Sequence, residues 1–413
     1  MIKTPVELDP PIPPDRERDR LRELAVLFLR LGTVAFGGPA AHIAMMEDEV
    51  VRRRGWLSHE AFLDMVGACN LIPGPNSTEM AIHIGHRRAG FAGLMVAGAC
   101  FIVPAVAITI VVAWAYVRFG SKPEVAGVLY GIKPVIIAVV VQALWRLWPS
   151  AAHTRLLIAV TIMATVAALL DFNEIAILFA AGIITIGAAL ITNRPGPQRG
   201  IAAASIGAMP LAMPPTPAAR TAIASAATVG TVGAVAGAAA VPFSLGAMFL
   251  IFVKIGAVLF GSGYVLIAFL QADFVDRLHW LTRSQLLDAV AVGQFTPGPV
   301  FSTATFIGYL LGSTSGAIVA TVGIFLPAFV FVGISGPLLP RLRRSPIAGA
   351  FLDGVNAASL ALMIVVTWDL GRDAIVDTTT VVLAILSAIA LIRFRLNSVW
   401  LIIAGGIAGA LVR

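Results

Sequence analysis

The stretch NLIPGPNST, Asn70 to Thr78, decides how the rest of the chain is read. Proline has no amide hydrogen and clashes with the turn before it, and glycine is among the poorest helix formers, so Pro73-Gly74-Pro75 ends a helix. The flanks are nevertheless apolar, and Asn76, Ser77 and Thr78 supply amide and hydroxyl groups directly after the break. The same device returns at QFTPGPVFST, Gln294 to Thr303, with Pro297-Gly298-Pro299 followed by Ser302 and Thr303.

The surroundings of both stretches are those of a membrane. The 413 residues are 58% hydrophobic and 12% charged, with a mean hydropathy of +0.91, whereas soluble domains carry about 25% charged residues. Several uncharged runs approach or exceed the roughly 18 residues that read as a spanning helix. The short alternating strands of a β-barrel are absent. The chain therefore reads as an all-α polytopic membrane protein. Its net charge of +7 fits basic cytoplasmic loops better than a nucleic-acid surface. The first 23 residues are too polar for a signal peptide and read as a disordered cytoplasmic tail. Cys69 and Cys100 lie in apolar segments and read as buried thiols.

The sequence is written twice. Shifted by 224 residues, Phe28, Gly32, Trp56, Leu57 and Asp64 fall on Phe252, Gly256, Trp280, Leu281 and Asp288. Each Pro-Gly-Pro falls on the other. One deletion lowers the shift to 223, and Gly85, Pro104, Gly131 and Trp145 then match Gly308, Pro327, Gly354 and Trp368. A register of Trp, Pro and Asp held this long marks an internal duplication. The expected organisation is a tail at 1–23, a first repeat at 24–192, a linker at 193–243 and a second repeat at 244–413.

In each repeat an apolar segment (24–38 in the first) leads through a charged stretch to two short helical pieces, 59–72 and 76–86, on either side of Pro-Gly-Pro. Neither piece is long enough to cross about 30 Å of hydrocarbon at 1.5 Å per residue. Both are flanked by basic clusters, Arg52 to Arg54 and Arg87-Arg88, which prefer one side of the membrane. A re-entrant hairpin with Pro-Gly-Pro at its tip follows, and then four spanning segments near 90–117, 125–148, 155–170 and 174–192. Ser58 and Thr282 read as N-caps, the latter in a capping box with Gln285. Matched loops carry opposite charge bias in the two halves: Arg146 and Arg155 against Asp369, Asp373 and Asp377. The repeats are thus expected to be inverted. That requires an extra crossing, assigned to the uncharged run 221–241 in the linker.

Backbone left unpaired in lipid is tolerated only inside protein or along a wet cavity. The half-helix after each break offers free N–H groups and the positive end of its dipole, which suit an anion. Inverted repeats with broken helices are the plan of secondary transporters, whose site lies between the repeats. The expected substrate contacts are therefore Asn70, Pro73, Gly74, Pro75, Asn76, Ser77, Thr78 and Glu79 in the first half, and Gln294, Pro297, Gly298, Pro299, Ser302 and Thr303 in the second. The glycines closing the first apolar segments, Gly37, Gly38 and Gly261, join them. Arg30 and its equivalent Lys254, with Lys133, are intramembrane cations and candidates to neutralise an anion; for Arg30 the alternative is snorkelling to the interface. Asp64 and Asp288 read as structural partners for a nearby Arg. Glu79, without an acidic counterpart, could carry a coupling proton or pair with Arg87 or Arg88. His83 and His86 lack a third ligand at usable spacing, so no metal is assigned. With no nucleophile cluster, no cofactor and no Walker-type loop, an enzyme or ATPase is not expected.

The paired FGGP (Phe36 to Pro39) and FGSG (Phe260 to Gly263), the two Trp-Leu pairs and the two Pro-Gly-Pro sites together resemble the chromate ion transporter family in its long, two-domain form. The resemblance runs over nearly the whole chain beyond residue 24. It implies a multi-pass protein of the bacterial or archaeal cytoplasmic membrane that exports chromate, with sulfate or another tetrahedral oxyanion as the alternative substrate and an anion channel as the alternative mode. A homodimer is compatible with this arrangement. Gly263 stands for Pro39, Gln294 for Asn70 and Thr303 for Glu79, so the two half-sites are expected to differ.

Overall fold

The computed structural model describes residues 14–36, 38–120, 122–192, 242–260, 263–335 and 345–412. Residues 1–13 and 193–241, the latter containing the helix expected at 221–241, lie outside the described residues. No β-strand occurs among the described residues. Among the described residues, fourteen α-helices fall into two matching sets of seven. The first set is α1 (Pro14–Val34), α2 (Gly38–Glu47, continued by a π-helical turn Asp48–Arg53), α3 (His59–Cys69), α4 (Asn76–Phe119), α5 (Pro123–Ala151), α6 (Arg155–Leu169) and α7 (Glu174–Thr192). The second is α8 (Leu245–Val258), α9 (Leu266–Leu270, continued by the π-helical turn Gln271–Arg277), α10 (Arg283–Phe295), α11 (Thr303–Ser335, entered through a 3-10 turn Val300–Ser302), α12 (Pro346–Ala374), α13 (Thr378–Arg393) and α14 (Ser398–Val412). Even the bounds of α5 and α12 differ by the 223-residue shift at both ends.

Helix α1 begins at Pro14, so residues 14–23 are helical and the expectation of a disordered tail over them is corrected. The sequence PDRERDRLREL, with proline at the first turn and Arg, Glu and Leu after it, favours this. Its charged face finds partners: Glu23 pairs with Arg88 at 2.7 Å, and Arg20 donates to the Arg88 carbonyl.

Helix α4 has 44 residues. A straight helix of that length would be about 66 Å long, twice the hydrocarbon thickness. It breaks at Ala89 and Gly90, where φ reaches +58°. Gly85 then packs on Gly93 and Ala97, so the chain turns back on itself. Helix α11 breaks with the same geometry at Gly312 and Ser313, and Gly308 packs on Gly316 and Ala320. Each Pro-Gly-Pro is thus the tip of a short hairpin, followed by a separate span (91–119 or 314–335). The open ends of the first hairpin meet: the guanidinium groups of Arg54 and Arg88 lie 5.1 and 4.4 Å from the Trp56 ring. Ser58 caps α3 and the Thr282–Gln285 capping box opens α10, as the sequence indicates.

The two spans cross antiparallel. Gly98 faces Phe329 and Leu94 faces Gly333, so partners descend on one helix as they rise on the other. The hairpins therefore enter from opposite faces, and the repeats are inverted. Pro39 and its own equivalent Gly263 stand against one another, which places the pseudo-twofold axis between them. The last two helices of each half are exchanged. Helices α6 and α7 pack on α12 of the other half, while α13 and α14 pack on α5. At these contacts Gly131 meets the backbone of Gly405 and Gly409, and Gly354 meets that of Ala181, the close approach that small residues allow between membrane helices. Polar groups bridge the same seams: Tyr130 donates to Asp377 at 2.6 Å and Gln142 to the Leu391 carbonyl at 2.9 Å.

Among the described residues, five helices are long and apolar enough to cross a membrane, and four shorter ones are apolar. Large apolar residues, among them Phe91, Ile162, Ile183, Ile334 and Ile407, point outward. In water such a surface would be a liability; in lipid it is the solvated face. The protein is a multi-pass, all-α membrane protein.

Candidate functional site

Each tip is held by the other half. The Gly74 N–H donates to the Leu259 carbonyl at 2.7 Å, and the Gly298 N–H donates to the Ala35 carbonyl at 2.9 Å. Leu259 and Ala35 are equivalent residues, just past the ends of α8 and α1. The orphan carbonyls at a helix C-terminus are thereby met by tip amides. The proline on either side of each glycine keeps the tip out of helix, and the glycines have φ of +142° and +90°, values open to glycine and strained for other residues. His42, buried on α2, also reaches the Ala35 carbonyl, through Nε2 at 3.1 Å. Pro-Gly-Pro is thus a latch between the halves as well as a turn.

Beyond each latch a half-helix begins. In the first half the N–H groups of Thr78 and Glu79 both close on the Pro75 carbonyl, leaving Asn76 and Ser77 with the open amides of the first turn. In the second, the Ser302 N–H closes on Pro299. The buried side chains here include several with no partner. Thr78 Oγ1, both Glu79 carboxylate oxygens, Gln294 Nε2 and Ser302 Oγ make no hydrogen bond. Thr78 and Glu79 are 0% exposed, Ser302 1% and Gln294 8%. Buried polar atoms are otherwise nearly always satisfied, so such a set around two helix starts marks a place where a partner is expected.

The remaining expected residues divide. Asn70 and Asn76 satisfy each other at 2.8 Å. Thr303 turns its hydroxyl back to the Val300 carbonyl at 2.8 Å. Gly38, at φ +79°, lies at the axis near the Tyr264 hydroxyl. Gly37 and Gly261 lie outside the described residues.

The cations do not stand free for an anion. Arg30 pairs with Glu49 at 3.4 Å, and Lys254 with Asp273 at 2.5 Å. Glu49 and Asp273 are equivalents, each also held by an arginine four residues on, Arg53 and Arg277. Lys133 bonds Ser284 at 2.7 Å and lies 3.6 Å from Asp288, near the start of α10 rather than at its tip. Asp288 also accepts from Tyr116 at 2.8 Å. Its partners are thus a tyrosine and a lysine, not the arginine expected. Glu79 is not paired with Arg87 or Arg88: Arg88 is taken by Glu23, and the hairpin places Glu79 near the tip and Arg88 at the open end. The equivalent ion pairs were visible in the sequence as a carboxylate 19 residues after each cation, and the exchange of Glu for Asp hid the match. His42 and the latch carbonyls left no such trace, because the latch is made by backbone.

The sequence matches the family model described as chromate transporter twice, over residues 22–186 and 246–410. It is 31% identical to the chromate transport protein of Cupriavidus metallidurans over 93% of this chain and 91% of that one. It is 32% identical to the chromate transport protein of Pseudomonas aeruginosa over 94% and 92%. It is 27% identical to the probable chromate transport protein of Synechococcus elongatus over 95% of each. No solved structure matches the chain.

Proposed function

The chain belongs to the chromate transporter family, and on that premise we propose that it is a secondary transporter exporting chromate across the cytoplasmic membrane. The anion binds between the repeats, at the half-helix starts behind the two latches. The observation that carries this reading is the set of buried, unpartnered donors there: Thr78 and Ser302 hydroxyls and the Gln294 amide. A tetrahedral oxyanion offers each of them an acceptor, and the half-helix dipoles add favourable potential. Arg30, Lys254 and Lys133 act through their carboxylate partners, holding the hairpins, rather than by touching the anion.

Charge supports this direction and driving force. A dianion leaving an inside-negative cell gains about 2.3 kcal/mol per charge per 100 mV, roughly 4.6 kcal/mol for two charges. That supports export without ATP. The basic mouth of the first hairpin, Arg52 to Arg54 with Arg88, is assigned to the cytoplasm. The carboxylates Asp276 and Asp373, which flank Arg283, belong to the opposite mouth.

Everted membrane vesicles test the proposal. Energised vesicles containing the protein are expected to accumulate chromate, to stop when the potential is collapsed, and to be slowed by excess sulfate. Uptake equal to that of vesicles lacking the protein would refute export. Sulfate uptake faster than chromate uptake would reassign the substrate.

A further inference from the structure

The two hairpins share a backbone and differ in chemistry. At the first tip the side chain of Glu79 folds back toward Gly74: a Cβ placed on Gly74 would collide with Glu79 Oε1. The carboxyl is fully buried, and neither oxygen has a hydrogen-bond partner. The polar pair beside it, Asn70 and Asn76, is closed on itself. At the second tip the equivalent of Glu79 is Thr303, whose hydroxyl is used internally, while Gln294 and Ser302 keep free buried donors. One tip thus holds an acid with nothing to bond beside a single free hydroxyl, Thr78; the other holds two free donors, Ser302 and Gln294, and no acid.

We propose that the halves divide the work: the second hairpin binds the oxyanion, and Glu79 on the first binds a proton that must be present for the anion to bind. This rests on the reading of the chain as an oxyanion transporter. A bare carboxylate buried without a hydrogen-bond partner is strongly disfavoured, and one beside a bound dianion more so. Proton on Glu79 and anion at Ser302 therefore favour each other, and a proton that leaves with the dianion lowers the charge moved from two to one. No other charge takes the acid's place. The neighbouring groups are the Cys69 thiol on α3 and His83 one turn along α4. Helix α11, which packs on this hairpin, carries no charged residue. Arg30 on α1 and Lys254 on α8 are engaged by Glu49 and Asp273, and His42 on α2 is bonded to Ala35.

The experiment is chromate affinity of the purified, full-length protein as a function of pH, comparing wild type with Glu79→Gln and Gln294→Leu. Chromate's own protonation in solution acts on every variant alike and cancels in the comparison. Wild-type affinity is expected to fall with rising pH by at least about tenfold more than that of Glu79→Gln, which stays near the tight limit. Glu79→Thr, copying Thr303, provides the same test if the glutamine variant folds poorly. Gln294→Leu is expected to bind about tenfold more weakly at every pH, with the wild-type pH dependence retained. A Glu79→Gln profile that tracks wild type, or a Gln294→Leu affinity equal to wild type, would overturn the division of roles. Failure of the wild type to bind chromate at all would instead strike the functional assignment on which this rests.

Discussion

Gly298→Val is expected to cut chromate transport severely. A Cβ at this position would lie 2.8 Å from Ala105 Cβ and 3.1 Å from the Gly32 carbonyl oxygen. The backbone φ of +90° is one that a β-branched residue adopts only under strain. Overpacking of this kind costs about 1–3 kcal/mol, and the backbone strain about the same again. The cheapest escape is for the tip to withdraw, which breaks the hydrogen bond to Ala35 and unlatches the second hairpin from the first half. Transport in vesicles should fall at least about tenfold, since each 1.4 kcal/mol is a factor of ten. Gly298→Ala should do less harm, and adding Ala105→Gly to it should restore part of the loss by clearing the methyl group it meets. Undiminished transport by Gly298→Val would mean that the tip is a passive turn.

Asp288→Ala is the second large effect, and it acts on stability. The Asp288 side chain is 4% exposed and the Lys133 side chain 21%, and Tyr116 completes the cluster. Removing the carboxylate leaves a half-buried ammonium opposite no charge, with only the Ser284 hydroxyl remaining to it. Breaking a buried pair by deleting one partner costs about 3–5 kcal/mol, somewhat less here because Lys133 retains some access to solvent. The yield of monodisperse protein and its melting temperature should both drop clearly. Asp288→Asn, which still accepts from Tyr116, should fall between. An unchanged melting temperature for Asp288→Ala would show that α10 is not held to α5 by this cluster.

Much of this architecture was legible in the sequence, for identifiable reasons. Trp56 and Trp280, and the two Pro-Gly-Pro tips, keep one register because each is a residue type that apolar composition does not scatter at random. The re-entrant hairpins followed from length, since neither piece could span, and from the basic clusters Arg52 to Arg54 and Arg87-Arg88 at both ends. The break after the first hairpin was legible, with one piece expected to end at 86 and the next span to start near 90, but its backbone form at Ala89–Gly90 and Gly312–Ser313 was not. Only one of each pair of residues is glycine, the order differs between halves, and Ser313 adopts a positive φ without glycine's freedom. The latches were hidden for another reason. Gly74 to Leu259 and Gly298 to Ala35 are bonds between main-chain atoms, and the acceptor residues differ in type. Arg30 and Lys254 were read as substrate cations because they are matched across the repeat, which is a symmetry that structural ion pairs share with binding sites. Glu79 stood out in the sequence for lacking an acidic counterpart, and its burial without a partner gives that asymmetry a physical content.

The most direct test of the account is chromate affinity of the purified protein carrying Ser302→Ala, set against Thr314→Ala at an exposed position just past the far end of the same hairpin. Loss of one hydrogen bond to a charged ligand is worth about 1.5–3 kcal/mol. Ser302→Ala is therefore expected to bind chromate at least about tenfold more weakly than Thr314→Ala, with sulfate displacing chromate from both. Equal affinity in the two variants, with both correctly folded, would place the anion somewhere other than behind the Pro-Gly-Pro latches.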